Sequence, residues 1–301
     1  MRAFRLAAVL LTAILSISVS FAYTVEVETY AGKVDVPLGP EKIAVFDIAA
    51  LDTLTALGVA VAGAPQQVYV SYLDDAVTNA EKVGSLFEPD FEALNALQPD
   101  LIIAGGRSSE QVDALSALAP SIDMTIWGDM LAQTRARLAA YGKIFGKDVK
   151  AKQLDGNLME ALEKAQAAAK DAGNALIVLT HGPKISVYGP KSRFGWMHSL
   201  LGIEPAISDI DGSTHGEAVS FEFIREANPD WLIVVDRAAA IGQGAALAAE
   251  TLDNKLIAET KAWKNDQVIY LDAAKVYIAA GGYKATMDTI VDLTAQFSNQ
   301  N

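Results

Sequence analysis

Two arginines stand at matched positions 130 residues apart. The first closes Glu92-Ala-Leu-Asn-Ala-Leu-Gln-Pro99-Asp100-Leu-Ile-Ile-Ala-Gly-Gly-Arg107, and the second closes Glu222-Phe-Ile-Arg-Glu-Ala-Asn-Pro229-Asp230-Trp-Leu-Ile-Val-Val-Asp-Arg237. In each copy a glutamate precedes Pro-Asp by seven residues and an arginine follows the proline by eight. Guanidinium is planar, permanently charged and rich in donors, so two such groups facing one another would grip an anion. An isolated arginine at a strand end is as readily a surface charge or part of a salt bridge. It is the matched placement in both copies that argues for a shared ligand.

The surrounding elements must bring the pair together. Pro-Asp ends a helix and opens a strand in each copy. The helix runs antiparallel to its strand, so the glutamate and the arginine share one end of the sheet. In open α/β sheets ligands sit beyond the carboxyl ends of the strands. Short apolar runs at 42–46, 59–62, 101–104 and 124–127 read as strands, with helices at 49–57, 91–97, 111–118 and 130–145. Residues 25–36 alternate as a hairpin. From Asp148 to about Ala172 the chain reads as one long helix rich in Ala, Leu, Lys and Glu. Alternation then resumes, with strands at 175–179, 231–235 and 268–271. Helices follow at 221–227 and 284–297, and a glycine-bearing loop through 182–195 leads to another ending at Gly202. The expected architecture is α/β: two doubly wound lobes, 23–147 and 173–301, joined by a single stiff connecting helix at 148–172.

Residues 1–22 read as a secretory signal, with Arg2 and Arg5 ahead of the apolar run Leu6–Ile17 and small residues at Ser20 and Ala22. Removing them from 301 residues leaves 279, and losing both arginines takes the formal charge from −13 to −15. Such a balance argues against a nucleic-acid partner. The absence of cysteine excludes disulfides, thiol chemistry, Cys-ligated metal and a cysteine-linked lipid anchor. The expected product is a soluble periplasmic monomer. No G-x-G-x-x-G follows a strand, and no P-loop, G-x-S-x-G or H-E-x-x-H occurs. The histidines His181, His198 and His215 lack close metal-ligand spacing, and the first two read as structural. An exported α/β enzyme stays open as an alternative, though no nucleophile–base pair is visible.

Four further motifs carry a resemblance. They are Tyr188-Gly-Pro-Lys-Ser-Arg193-Phe-Gly195, Gly212-Ser-Thr-His215-Gly216, Val235-Asp-Arg237-Ala-Ala-Ala-Ile-Gly242 and Lys275-Val-Tyr277-Ile-Ala-Ala-Gly281-Gly282. With the repeat, they make the chain resemble the solute-binding proteins of ABC importers that carry ferric catecholate siderophores of the enterobactin type, a class III periplasmic binding protein fold. The general frame is shared with binders of hydroxamate siderophores, haem and cobalamin, which stay as alternatives. The resemblance implies that Arg107, Arg193 and Arg237 bind the anionic catecholate oxygens. It implies that His215 and Tyr277 complete the coordination of iron when a siderophore offers only two catechols. It further implies that Glu92 and Glu222 dock onto the permease subunits of the importer. No intrinsic cofactor is expected; the ligand is the Fe(III)-siderophore itself. Trp127, Trp196, Tyr188 and Tyr283 are candidates for stacking on it.

Overall fold

The computed structural model describes residues 23–210, 216–242 and 248–299. The segment read as a signal, 1–22, lies outside the described residues, as does His215. The chain opens with the antiparallel hairpin β1 (Thr24–Thr29) and β2 (Gly32–Pro37). Five parallel strands follow: β3 (Ile43–Val45), β4 (Gly63–Ala64), β5 (Glu81–Lys82), β6 (Leu101–Ala104) and β7 (Ser121–Asp123). Their order across the sheet is β5-β4-β3-β6-β7. Helices α1 (Ile48–Leu57), α2 (Phe91–Leu97) and α3 (Val112–Leu115) connect them, and α4 (Met130–Ile144) leads to α5 (Asp148–Ala169). β3 and β6 are buried at every position, which is why they read as unbroken apolar runs.

The second sheet holds β8 (Asn174–His181), β9 (Lys184–Tyr188), β10 (Glu204–Pro205), β11 (Glu217–Val219), β12 (Trp231–Asp236) and β13 (Val268–Tyr270). Its order is β11-β9-β8-β12-β13, with β10 also beside β8. Helices α6 (Trp196–Leu201), α7 (Phe221–Ala227), α8 (Arg237–Ala240), α9 (Ala248–Leu252), α10 (Lys261–Lys264), α11 (Ala273–Tyr277) and α12 (Tyr283–Ser298) pack around it. The two-sheet α/β architecture expected from the sequence is the one found.

Four local readings need correction. The strand expected at 59–62 begins at Gly63, where Ala44 pairs with it. The strand expected at 124–127 lies three residues earlier, at Ser121–Asp123, because carbonyls of the apolar run serve a buried arginine instead of the ladder. The helix expected at 111–118 is reduced to Val112–Leu115 after a tight turn of 3-10 helix. The stretch expected as a loop from Gly182 contains β9, an antiparallel partner of β8. The second sheet is therefore mixed, unlike the wholly parallel first one.

The internal repeat has a structural cause. α2 and α7 are both seven residues long, are N-capped by Asp90 and Ser220, and are stopped by the left-handed residues Gln98 and Asn228. The aspartate after each proline then fastens the neighbouring strand. Asp100 accepts from the Lys42 N–H, just ahead of β3, at 2.8 Å, and Asp230 accepts from the Asn174 N–H, which opens β8, at 3.0 Å. Those are the strands that pair in parallel with β6 and β12. Glu92 and Glu222 sit in the first turns of the two helices, both exposed.

Helix α5 buries Ala151, Leu154, Leu158, Leu162, Ala165 and Ala169, one stripe at helical spacing. That stripe packs on α4, α6 and α12, and the helix stops at Ala169, short of the 172 expected from the sequence. Helix α12 also returns to α1. There the Asp52 carboxylate, 1% exposed, accepts from the Lys284 N–H at 2.6 Å, from the Ala285 N–H at 3.0 Å and from the Tyr72 hydroxyl. Burial pushes this carboxyl up to about 6.

Candidate functional site

Each sheet changes direction of winding once: between β3 and β6 in the first, and between β8 and β12 in the second. A doubly wound sheet opens a crevice at such a point, beyond the strand ends. The residues after β3 and β6 are Asp47 and Gly105–Arg107; those ending β8 and following β12 are His181 and Arg237. Between the two sheets lies a cavity of about 750 Å³. Asp47, Arg107, Thr125, Ile126, Trp127 and Phe87 line it from the first half of the chain. Lys191, Arg193, Trp196, Arg237, Tyr277 and Ile278 line it from the second.

The three arginines named from the sequence meet at Tyr277. Arg107 Nη2 donates to its main-chain carbonyl at 3.0 Å, and Arg193 Nη2 donates to the same oxygen at 2.7 Å. Arg237 Nε donates to the phenol oxygen at 3.2 Å. The guanidinium carbons of Arg193 and Arg107 lie 4.2 and 5.5 Å from the centre of the Tyr277 ring. All three arginines are half-buried, with donors left beyond those used on Tyr277.

This crowding shows in the electrostatics. Burial, and then the charge on Arg107, lowers the proton affinity of Arg193. Burial would raise the Tyr277 phenol, but the hydrogen bond from Arg237 and the charges of Arg193, Arg237 and Arg107 outweigh it. The phenol is held below its ordinary value. Tyr188 goes the other way, to about 12, because burial dominates there. Three cations around a phenol whose proton they loosen make a site for anionic oxygen, with a hard oxygen donor at its centre.

The loops that carry these groups are rigidly built. Arg193 rides on a turn in which Ser192 N–H donates to the Gly189 carbonyl at 3.0 Å and Gly195 N–H to the Ser192 carbonyl at 3.0 Å. A Cβ at Gly195 would overlap the Pro190 carbonyl. Residues 124–127 are held by Arg137, which is 2% exposed and donates to the carbonyls of Met124, Thr125 and Glu28 at 3.3, 3.1 and 2.8 Å. Gly281, at φ +85°, lets the segment between α11 and α12 pass against Ile126.

Of the aromatic candidates, Trp127 and Trp196 line the cavity. Tyr188 is buried under Phe194 at 4.7 Å between ring centres, and Tyr283 is buried at the start of α12; neither lines it. His198 is buried, with Nδ1 3.2 Å from the Ile203 carbonyl, as a structural histidine would be. Two lining residues were not singled out in the sequence, and His181, expected to be structural, instead stands against a site arginine. Lys191 and Phe87 line the cavity, and His181 places its ring nitrogens 3.2 and 3.3 Å from Arg237 Nη1.

Comparison with known proteins gives this geometry a context. A model of the periplasmic binding protein family matches residues 43–274. The chain is 38% identical over 266 residues to the petrobactin-binding protein YclQ of Bacillus subtilis, covering 86% of this chain and 83% of that protein. It is 30% identical over 275 residues to the ferric-anguibactin-binding protein FatB of Vibrio anguillarum, covering 89% and 85%. The YclQ crystal structure superposes with a TM-score of 0.86 over 91% of this chain and 99% of that one, at 36% identity. That of the periplasmic catecholate-siderophore binding protein VctP from Vibrio cholerae does so with 0.84 over 91% and 100%, at 30% identity.

Proposed function

The chain belongs to the periplasmic binding protein family, and from that premise we propose that it captures ferric catecholate siderophores, tris- or bis-catecholate, and delivers them to an ABC importer. The observation that carries this reading is the convergence of Arg107, Arg193 and Arg237 on Tyr277 inside one cavity. Catecholate oxygens bound to ferric iron are anionic, and guanidinium groups suit them in charge and shape. A chain with a formal charge of −13 repels anions at long range, so the attraction must be local. The resemblance to VctP and to YclQ and FatB favours the same class of cargo.

In this reading the three arginines hold the chelate. Tyr277, with His215, fills the coordination positions that a bis-catecholate leaves open on iron. Neither step asks the protein for bond-breaking chemistry, so the role is carriage and not catalysis. Glu92 and Glu222, exposed in the first turns of α2 and α7, meet cationic residues on the permease subunits. The protein acts as a periplasmic monomer, released by cleavage after residue 22.

The test is a tryptophan-fluorescence titration with ferric tris-, bis- and mono-catecholates beside a ferric hydroxamate and haem. The expected result is saturable quenching by the first two at concentrations where the hydroxamate and haem give none. Preference for hydroxamate or haem would overturn the reading.

A further inference from the structure

We infer that Phe87 and Trp127 form an aromatic jaw on the cavity rim, which selects chelates built from aromatic rings over chelates of the same metal with aliphatic donors. The inference rests on the reading of the cavity as a ferric-chelate site and names how that site would choose its cargo. Among the described residues, several large apolar side chains stand exposed, but only these two line the cavity, at 56% and 51% exposure. Scattered exposed apolar side chains are ordinary; two aromatics sharing one cavity with three cations are a built surface.

Hydrogen bonds anchor the backbone at or near each of them. Phe87 sits in a turn closed by the Ser85 hydroxyl, which accepts from the N–H groups of Phe87 and Glu88 at 3.2 and 3.0 Å, and by the bridge between Gly84 and Pro89. Trp127 ends the shelf that Arg137 grips through the carbonyls of Met124 and Thr125. The backbone thus sets where the two rings emerge on the cavity rim, and both present open faces to a ligand.

The division of the cavity gives the jaw its chemistry. Both rings come from the first half of the chain, as does Arg107, whereas Arg193 and Arg237 come from the second. A catecholate has two faces to satisfy: its oxygens are anionic and its ring is apolar with a π system. The arginines serve the oxygens, and the aromatics serve the rings by offset or edge-on contact. An aliphatic hydroxycarboxylate chelate offers only the oxygens, so it gains nothing from the rings.

Equilibrium dialysis separates these contributions. Wild type, F87A, W127A, the double variant and W127F are dialysed against the ferric complex of a linear bis-catecholamide and against ferric citrate, with R193A in parallel. The double variant should bind the catecholate about tenfold or more weakly, with any citrate uptake unchanged within about twofold. W127F should keep most of the catecholate affinity. An unchanged catecholate affinity, or a parallel loss of citrate, overturns the jaw, while R193A still reports on the cation site. Wild type taking up no catecholate overturns both the jaw and the reading beneath it.

Discussion

Arg107 and Arg193 donate to one and the same oxygen, the main-chain carbonyl of Tyr277, at 3.0 and 2.7 Å. The two arginines come from opposite sides of α5, and the shared acceptor is the last residue of α11. Two like charges on one carbonyl repel each other, and an anion placed between them removes that repulsion. The remaining donors of both groups are what such an anion would meet.

Substitution of Arg107, Arg193 or Arg237 by Ala should each weaken ferric catecholate binding about ten- to a hundredfold, as expected for loss of a charge-assisted hydrogen bond. Affinity of the wild type should also fall with added salt. Titrations at low and high ionic strength check both; a triple variant of unchanged affinity would remove the cation site from the account.

Tyr277 should ionise below the ordinary phenol value and ahead of Tyr188, which burial pushes up to about 12. A depressed acid contributes stability that is complete above the unfolded value and lost as pH falls through the folded one. The fold should therefore gain from this group as pH rises between the two. Spectrophotometric titration of phenolate in wild type and Y277F reads it: the earliest phase should vanish in the variant. Y277F should also weaken bis-catecholate binding more than tris-catecholate binding, since the latter already saturates iron.

Asp52 works in the opposite sense. Its carboxyl is raised to about 6 by burial, against an ordinary 3.8. The folded protein thus holds this proton more tightly than the unfolded chain. The contribution is full below the unfolded value and is lost as pH rises through about 6. Thermal melts from pH 4 to 7 should show wild type gaining on D52N as pH falls, by at most about 3 kcal/mol. D52A, which strips the partner from the buried Ala285 N–H and the half-buried Lys284 N–H, should cost about 2–4 kcal/mol at neutral pH.

Gly195→Ala should displace the Arg193 turn, because the new methyl group overlaps the Pro190 carbonyl. Overpacking of this kind costs about 1–3 kcal/mol. A drop in melting temperature with a loss of ligand affinity is expected, and unchanged affinity would show that the turn does not position Arg193.

Charge reversal at Glu92 and Glu222 should leave chelate affinity untouched and abolish uptake by importer-containing vesicles. Weaker chelate binding in these variants would argue against a docking role.

How much of this was legible in the sequence depended on whether a residue belonged to a pattern. Arg107 and Arg237 were found because Pro-Asp repeats, and it repeats because each aspartate fastens the adjacent strand. Arg193 and Tyr277 had no such internal echo and rested on motif resemblance alone. Phe87 was invisible, since one aromatic at a turn carries no periodicity. β9 was read as loop because Gly182 and Gly189 bracket it and only Ile185 and Val187 mark its buried face. The run Met124–Trp127 was read as strand because apolar composition does not reveal that Arg137 takes its carbonyls.

The return of α12 to α1 has an implication for how the molecule is made. Asp52 and Thr53 receive N–H groups from residues 283–285, more than 200 positions later in the chain. A nascent polypeptide emerging from its amino end carries that carboxylate without its partners until nearly the whole length has been synthesised. Half-by-half maturation is thereby discouraged, because the carboxylate on the early helix and the N–H groups that satisfy it at the start of the final sixteen-residue helix meet only once both have been made.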